Sequence, residues 1–320
     1  QKFAARRPYH RWLEDNLLPL ETVVARYKQQ SATKGDNTAK GEYGANGHAA
    51  TNGASENGTG SSDESGANLT NRQASFGYTS EEMIVILRPM LTTGQEPVGA
   101  VGDDTPPAAI SKLPRSLFSY FKQRFAQVTN PPIDPLREAV VMSLETTIGP
   151  EQQSIFAESE QHANRVILTS PVLSTEKYRA LLHLDRWGYR VHSLPLGYDP
   201  EQTDLRAAIE TLCREAAAAV RAGAVLLLLT DQDCAPPELP VHALLAVGAV
   251  HHHLCREGLR CNANLIVATA TARDPHQVAC LIGFGATAVY PYLGYAVLAD
   301  LCRAGALALP ADKALKNYRR

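Results

Sequence analysis

The run "AVLLLLTD", Ala224 to Asp231, decides the fold. It is apolar without a break from Ala224 to Leu229. A strand with one face in water alternates apolar and polar residues. An unbroken run marks a strand covered on both faces, as in a parallel sheet between layers of helix. The flanks agree. Upstream, Leu205, Ile209, Leu212, Ala216 and Val220 recur at helical spacing, and the pattern stops at Gly223. Downstream, "LPVHALLAVGAVHHHLCREG" (239–258) reads as a helix ending near Gly258, and "NLIVATAT" (264–271) as a second apolar strand.

Further out the pattern repeats. "RVILTSPV" (165–172), "YRVHSLPL" (189–196) and "ATAVYPYLG" (286–294) read as strands, and "STEKYRALLHLDRWG" (174–188) as a helix capped by Ser174. Strands alternating with helices predict an α/β fold, a parallel β/α repeat. Five strands are too few for a closed eight-stranded barrel. The expectation is an incomplete barrel or an open doubly wound sheet.

What precedes this repeat is different. Residues 76–150 are loop-rich, apart from a helix in "YTSEEMIVILRPMLTTG" capped near Thr79 or Ser80. Residues 31–75 are low in complexity, with one Leu, one Tyr and no Val, Ile, Phe, Met or Trp. Such a segment cannot bury enough apolar surface to offset its ordering entropy, so it is expected to be a disordered insertion. It carries two glycosylation sequons, at Asn57 and Asn68, read as accidental without a secretion signal. Residues 1–30 carry aromatic and leucine anchors and read as a docking arm or linker. The central β/α domain is placed at 76–320.

Bulk properties exclude several classes. Of the 320 residues 44% are hydrophobic, enough for a sizeable core, and the net charge of −2 offers nothing to nucleic acid or an anionic membrane. No apolar run approaches the roughly 20 residues of a membrane span. The N-terminal stretch has no apolar segment of the kind signal peptides need. The six cysteines include no C-x-x-C, which predicts reduced thiols in a cytosol-like compartment.

Candidate chemistry is sparse. His251, His252 and His253 are consecutive and point about 100° apart on a helix, so only His251 and Cys255 share a face. Asp103 and Asp104 precede Pro106 and read as turn-formers. Gly283 and Gly285 open a glycine-containing loop, Gly283 to Thr287, that could hold a phosphorylated ligand through its amides. No Walker loop, nucleophile elbow or dinucleotide fingerprint stands in a fitting context. The stretch "FAQVTNPPIDPLRE" (125–138) is stiffened by Pro131 and Pro132 before Asp134 and Pro135 start a helix. On composition it is a rigid spacer or the wall of a passage.

Four blocks together resemble a known family. They are "GQEPVGAVGDDTPPAAIS" (94–111), "FAQVTNPPIDPLREAVVMSLETTIGP" (125–150), "LPVHALLAVGAVHHHLCREGLR" (239–260) and "DPHQVACLIGFGATAVYPYLG" (274–294). They resemble, in order, the central domain of the glutamate synthase large subunit, over about 76–320, with the arm at 8–20 also similar. The resemblance implies an enzyme making glutamate from glutamine and 2-oxoglutarate. An amidotransferase domain would release ammonia, which a tunnel leads to a flavin domain carrying FMN and fed by an iron–sulfur cluster. It implies that this chain is the connector, holding no catalytic residue, cofactor or metal. The implied partners are the amidotransferase and flavin domains, with a reductase subunit or ferredoxin. The implied location is the cytoplasm, or a plastid in a photosynthetic eukaryote. The first cysteine is Cys213 and the chain ends at "DKALKNYRR", so both active sites are expected to lie outside it. Thr129, Asn130 and Pro131 are the implied tunnel-lining residues. The family pattern breaks near Ala268, where it often has Glu, at Gln277, where it has His, and at Tyr290, where it has Asn.

Overall fold

A computed structural model of the chain describes residues 6–33, 62–95, 97, 110, 115–121, 134–150, 156–184, 188–305 and 309–319. The chain begins with α1 (Tyr9–Asn16), the short strand β1 (Leu17–Pro19) and α2 (Leu20–Thr33). Next come α3 (Ser62–Ser75) and a helical stretch of α4 (Ser80–Glu82), a π-helical turn (Met83–Leu87) and α5 (Arg88–Thr93). Thr79 starts that stretch with a capping box: its hydroxyl accepts from Glu82 N, and Glu82 Oε2 accepts from Thr79 N, each at 3.1 Å. Gly94, at φ 68°, ends it.

Asp134 then caps α6 (Pro135–Val141), its Oδ1 accepting from Leu136 N at 3.1 Å and Arg137 N at 2.9 Å. The remaining elements are β2 (Thr146–Ile148), β3 (Arg165–Leu168), α7 (Thr175–Leu182), β4 (Val191–Pro195), β5 (Gly197–Tyr198), α8 (Leu205–Arg221) and β6 (Leu226–Thr230). After these come β7 (Leu239–Pro240), α9 (Ala243–Arg256), β8 (Asn264–Ala268), α10 (Pro275–Gly283), β9 (Ala288–Tyr290), α11 (Tyr292–Arg303) and α12 (Ala311–Tyr318). Among the described residues no helix is long and apolar enough to cross a membrane.

The main sheet has the order β4-β6-β8-β9 and is parallel throughout. The order follows the chain, as in a β/α barrel, and the sheet stays open. Beyond β3, Val172 makes an isolated parallel bridge to Val289 of β9. Two smaller sheets flank it: β1-β3-β2, with β1 parallel and β2 antiparallel to β3, and the antiparallel pair β5-β7. Chain-order crossovers of one hand place α8, α9 and α10 on one face. There Leu227, Leu229, Leu265 and Val267 pack with Leu212, Ala216, Val247 and Leu281. On the other face Leu226, Leu228 and Ile266 pack with Leu293, Val297, Leu315 and Leu91. Every residue of β6 is buried, which is why its sequence does not alternate.

His242 joins the outer face to α9. Its ring meets Phe118 edge-on at 5.0 Å, and its Nδ1 accepts from Leu244 N at 3.3 Å, capping the helix. Burial pushes its pKa down to about 4 from 6.5. A base whose folded pKa is depressed contributes stability above its unfolded pKa and loses it as pH falls toward the folded value. From pH 6.5 to 4 this single group is expected to withdraw about 3 kcal/mol. His242→Asn keeps a cap and does not titrate. Urea unfolding at pH 7 and pH 4.5 should show a smaller acid loss in the variant, and equal losses would exonerate His242.

The arm lies on the body. β1 adds to β3, and α2 lies along α7, with Tyr27 against the His183 ring at 5.3 Å and Lys28 Nζ 2.7 Å from Glu176. The expectation of disorder over 31–75 needs correction at both ends, since 31–33 close α2. Residues 34–61 lie outside the described residues, and 62–75 form α3. Leu69 packs against the core, and Arg72, one turn on, bonds to the sheet end. Average composition misses this because the partners that hold the helix, Gln232 and Tyr292 among them, lie far away in sequence.

Candidate functional site

In sheets of parallel strands, ligands sit beyond the carboxyl ends of the strands. Here β6 runs out at Thr230 and Asp231, β8 at Thr269 and Thr271, and β9 at Tyr290 and Tyr292. Asp231 is 1% exposed. Its Oδ2 accepts from Thr269 Oγ1 at 2.6 Å, and its Oδ1 accepts from Ala270 N at 3.0 Å and Tyr292 OH at 2.7 Å. Burial raises the Asp231 pKa, and these three donors and nearby Arg72 work against the rise. Arg72 Nη2 donates to Gln232 O at 2.8 Å and Tyr292 OH at 2.9 Å. Tyr178 OH donates to Gln232 Oε1 at 3.0 Å, and its ring stacks on Tyr290 at 4.2 Å.

A second buried charge lies alongside. Arg273, 5% exposed, places its guanidinium over the Tyr78 ring at 4.2 Å, with Nη1 3.4 Å from Glu82 Oε2. Tyr78 OH donates to Ala270 O at 3.0 Å and Tyr318 OH to Arg273 O at 2.9 Å. Both carboxylate oxygens of Asp231 are thus engaged by the protein itself, and the end of the sheet is a closed polar knot.

Thr129, Asn130 and Pro131 lie outside the described residues, as do Asp103 and Asp104. The loop Gly283 to Thr287 lies wholly within them. Phe284 N donates to Cys280 O at 3.0 Å, Gly285 N to Ile282 O at 2.9 Å, Ala286 N to Leu281 O at 3.0 Å and Thr287 N to Leu265 O at 2.8 Å. The amides a phosphate would need are therefore spent on ending α10 and joining β8. His251 and Cys255 do share a face, with Sγ 3.8 Å from Nε2. The other ring nitrogen of His251 accepts from Arg260 Nε at 3.0 Å. A neutral imidazole accepting at Nδ1 carries its proton on Nε2, leaving no lone pair for a metal.

The positions that depart from the family pattern are structural here. Ala268 and Tyr290 are register partners on β8 and β9, and Gln277 Oε1 accepts from Arg273 N at 2.9 Å. Asp231, Thr269, Tyr292 and Arg72 escaped the sequence reading. The available signal was a polar residue directly ending each apolar strand, "LLLLTD" and "LIVATAT".

Comparison with known proteins matches residues 71–320 to the family described as the glutamate synthase central domain. The chain is 43% identical over 255 residues to ferredoxin-dependent glutamate synthase, chloroplastic, of Oryza sativa, covering 78% of this chain and 15% of that protein. It is 42% identical over 262 residues to the glutamate synthase [NADPH] large chain of Azospirillum brasilense, covering 81% and 17%. It is 38% identical over 250 residues to glutamate synthase [NADH] of Schizosaccharomyces pombe, covering 76% and 12%. The matched part is thus less than a fifth of the length of these relatives. With a matching family model over most of its length and these identities, the chain belongs to the glutamate synthase central domain family.

Proposed function

We propose that the chain is the central scaffold and ammonia-channelling connector of a glutamate synthase that makes glutamate from glutamine and 2-oxoglutarate. The observation that carries the scaffold reading is the closed sheet end, where Asp231 is held by Thr269, Ala270 and Tyr292. A β/α domain with that end filled by its own side chains serves as a frame. Amidotransferase, flavin and iron–sulfur chemistry belong, in this reading, to other domains of the same polypeptide. The relatives' names mention ferredoxin, NADPH and NADH, and a reductase subunit or ferredoxin is the partner this reading implies. Apolar side chains on α6 and just past it support a role between domains. Leu136 is 85% exposed, Met142 70% and Val141 65%, on a helix too short to be stable by itself.

In this reading the ammonia path runs along Thr129, Asn130 and Pro131, shortly before α6 in sequence. Ammonia kept from bulk water is neither protonated nor lost, and exclusion of water is a recognised way to prevent such leakage. Two prolines remove amide donors from such a wall and hold its carbonyls in set directions. In the full-length synthase, Thr129→Trp is expected to preserve glutamine hydrolysis while free ammonia appears in the medium. Thr129→Val, near in shape, should leak less if bulk is what blocks the path. A stably folded Thr129→Trp enzyme that still forms one glutamate from 2-oxoglutarate per glutamine hydrolysed would return this loop to a spacer.

A further inference from the structure

The closed end of the sheet contains a cation site with its cation already in place. Arg72 reaches it from α3, which is the last part of the low-complexity stretch in sequence. Its guanidinium donates through Nη2 to Gln232 O and Tyr292 OH, at 2.8 and 2.9 Å, and its carbon lies 5.4 Å from the centre of the Tyr292 ring. Tyr292 links that cation to the carboxylate: its own hydroxyl donates to Asp231 Oδ1 at 2.7 Å. The receiving groups are positioned independently of Arg72. Asp231 is fixed by Thr269 and Ala270, and Gln232 by Tyr178, whose ring is stacked on Tyr290. Tyr290 in turn donates to Thr175 Oγ1 at 3.2 Å. A carbonyl, a phenol oxygen, an aromatic face and a buried carboxylate behind them suit a planar, weakly hydrated, forked cation better than a compact ammonium.

We infer that Asp231, Gln232 and Tyr292 form a guanidinium-binding site, filled in cis by Arg72, that latches α3 over the carboxyl end of the sheet. Leu69 on α3 and Phe76 just past it are partly buried apolar anchors packed against the core. The latch adds to that grip a polar hold on the last turn of α3, so its loss should loosen the helix. The scaffold reading does not depend on it, since β6, β8 and β9 pair without α3.

The test is hydrogen exchange on the whole chain, read in peptides covering 62–75, with β6 and β8 amides as the check on folding. Arg72→Ala keeps the helix propensity and empties the site. Exchange in 62–75 should rise about tenfold, near the lower end of what one hydrogen bond to a charged group is worth. Arg72→Lys keeps the charge on α3 but loses the planar fork, so exchange in 62–75 should stay nearly as fast as in Arg72→Ala. Tyr292→Phe keeps the ring and removes the hydroxyl, and should speed exchange in 62–75 several-fold with Arg72 intact. Unchanged exchange in Arg72→Ala or Tyr292→Phe overturns the latch. So does an Arg72→Lys variant as well protected over 62–75 as the parent protein.

Discussion

Asp231→Ala is expected to lower the unfolding free energy by about 3–5 kcal/mol, the range for breaking a buried charged network by removing one partner. The size follows from what stays behind. Ala270 N and the hydroxyls of Thr269 and Tyr292 lose an acceptor at once. Thr269 can turn to Thr271 Oγ1, 2.9 Å away, whereas Ala270 N donates to the two carboxylate oxygens of Asp231 and loses both. The loss is offset in part, because burial already opposes the ionised carboxylate. Asp231→Asn keeps an oxygen for Ala270 N and Tyr292 OH and lets Thr269 accept from the new amide, so it should cost only about 1 kcal/mol. Urea unfolding of the three proteins at pH 7 measures this. An alanine variant within about 1 kcal/mol of the parent protein, no more than one ordinary hydrogen bond, would mean that the knot is ornamental.

Gly285→Ala should be the costliest of the glycine substitutions at the helix ends, at about 3–4 kcal/mol. Gly285 sits at φ +114°, a backbone region that side chains with a Cβ rarely adopt. A Cβ there would also run into the His251 ring. That ring cannot swing aside freely, because Arg260 holds it while also donating to Gly285 O at 2.8 Å. By comparison Gly223 and Gly258, also at positive φ, have open space where a Cβ would go, so alanine there should cost about 1 kcal/mol. Thermal unfolding of the three variants gives the ranking directly. If Gly285→Ala were no worse than Gly223→Ala, the packing of α9 against this turn would be much looser than it is here.

Much of the architecture is written locally along the chain. "AVLLLLTD" and "NLIVATAT" announced buried parallel strands because a strand covered on both faces has no polar face to display. Ser174, Thr79 and Asp134 announced helix starts because a cap is a local event between residues two or three apart. Gly223 and Gly258 announced helix ends for the same reason. The parallel β/α repeat and its helices were legible at that range, and longer blocks carried the resemblance to the glutamate synthase family. Whether the repeat made an incomplete barrel or an open sheet was not, nor that β3 left it for another sheet.

The loop Gly283 to Thr287 shows where local reading stops. Glycine spacing alone permits a phosphate cradle, and only the partners of its amides, Leu281 O and Leu265 O among them, show that they are in use. Three-stranded pairing of β1 and β2 with β3 was not legible either, since three-residue strands carry too little periodicity to be seen. The same holds for α3, where a polar composition pointed to disorder and a contact 220 residues away in sequence, Arg72 to Tyr292, supplied the order. Strands and helices could be located from the residues alone, because caps, stops and burial patterns act within a turn or a strand of the residue concerned. Which polar side chains meet could not. Arg72, Asp231, Thr269 and Tyr292 come from four separate parts of the chain, and their hydrogen bonds exist only once the folded sheet has brought its strand ends together.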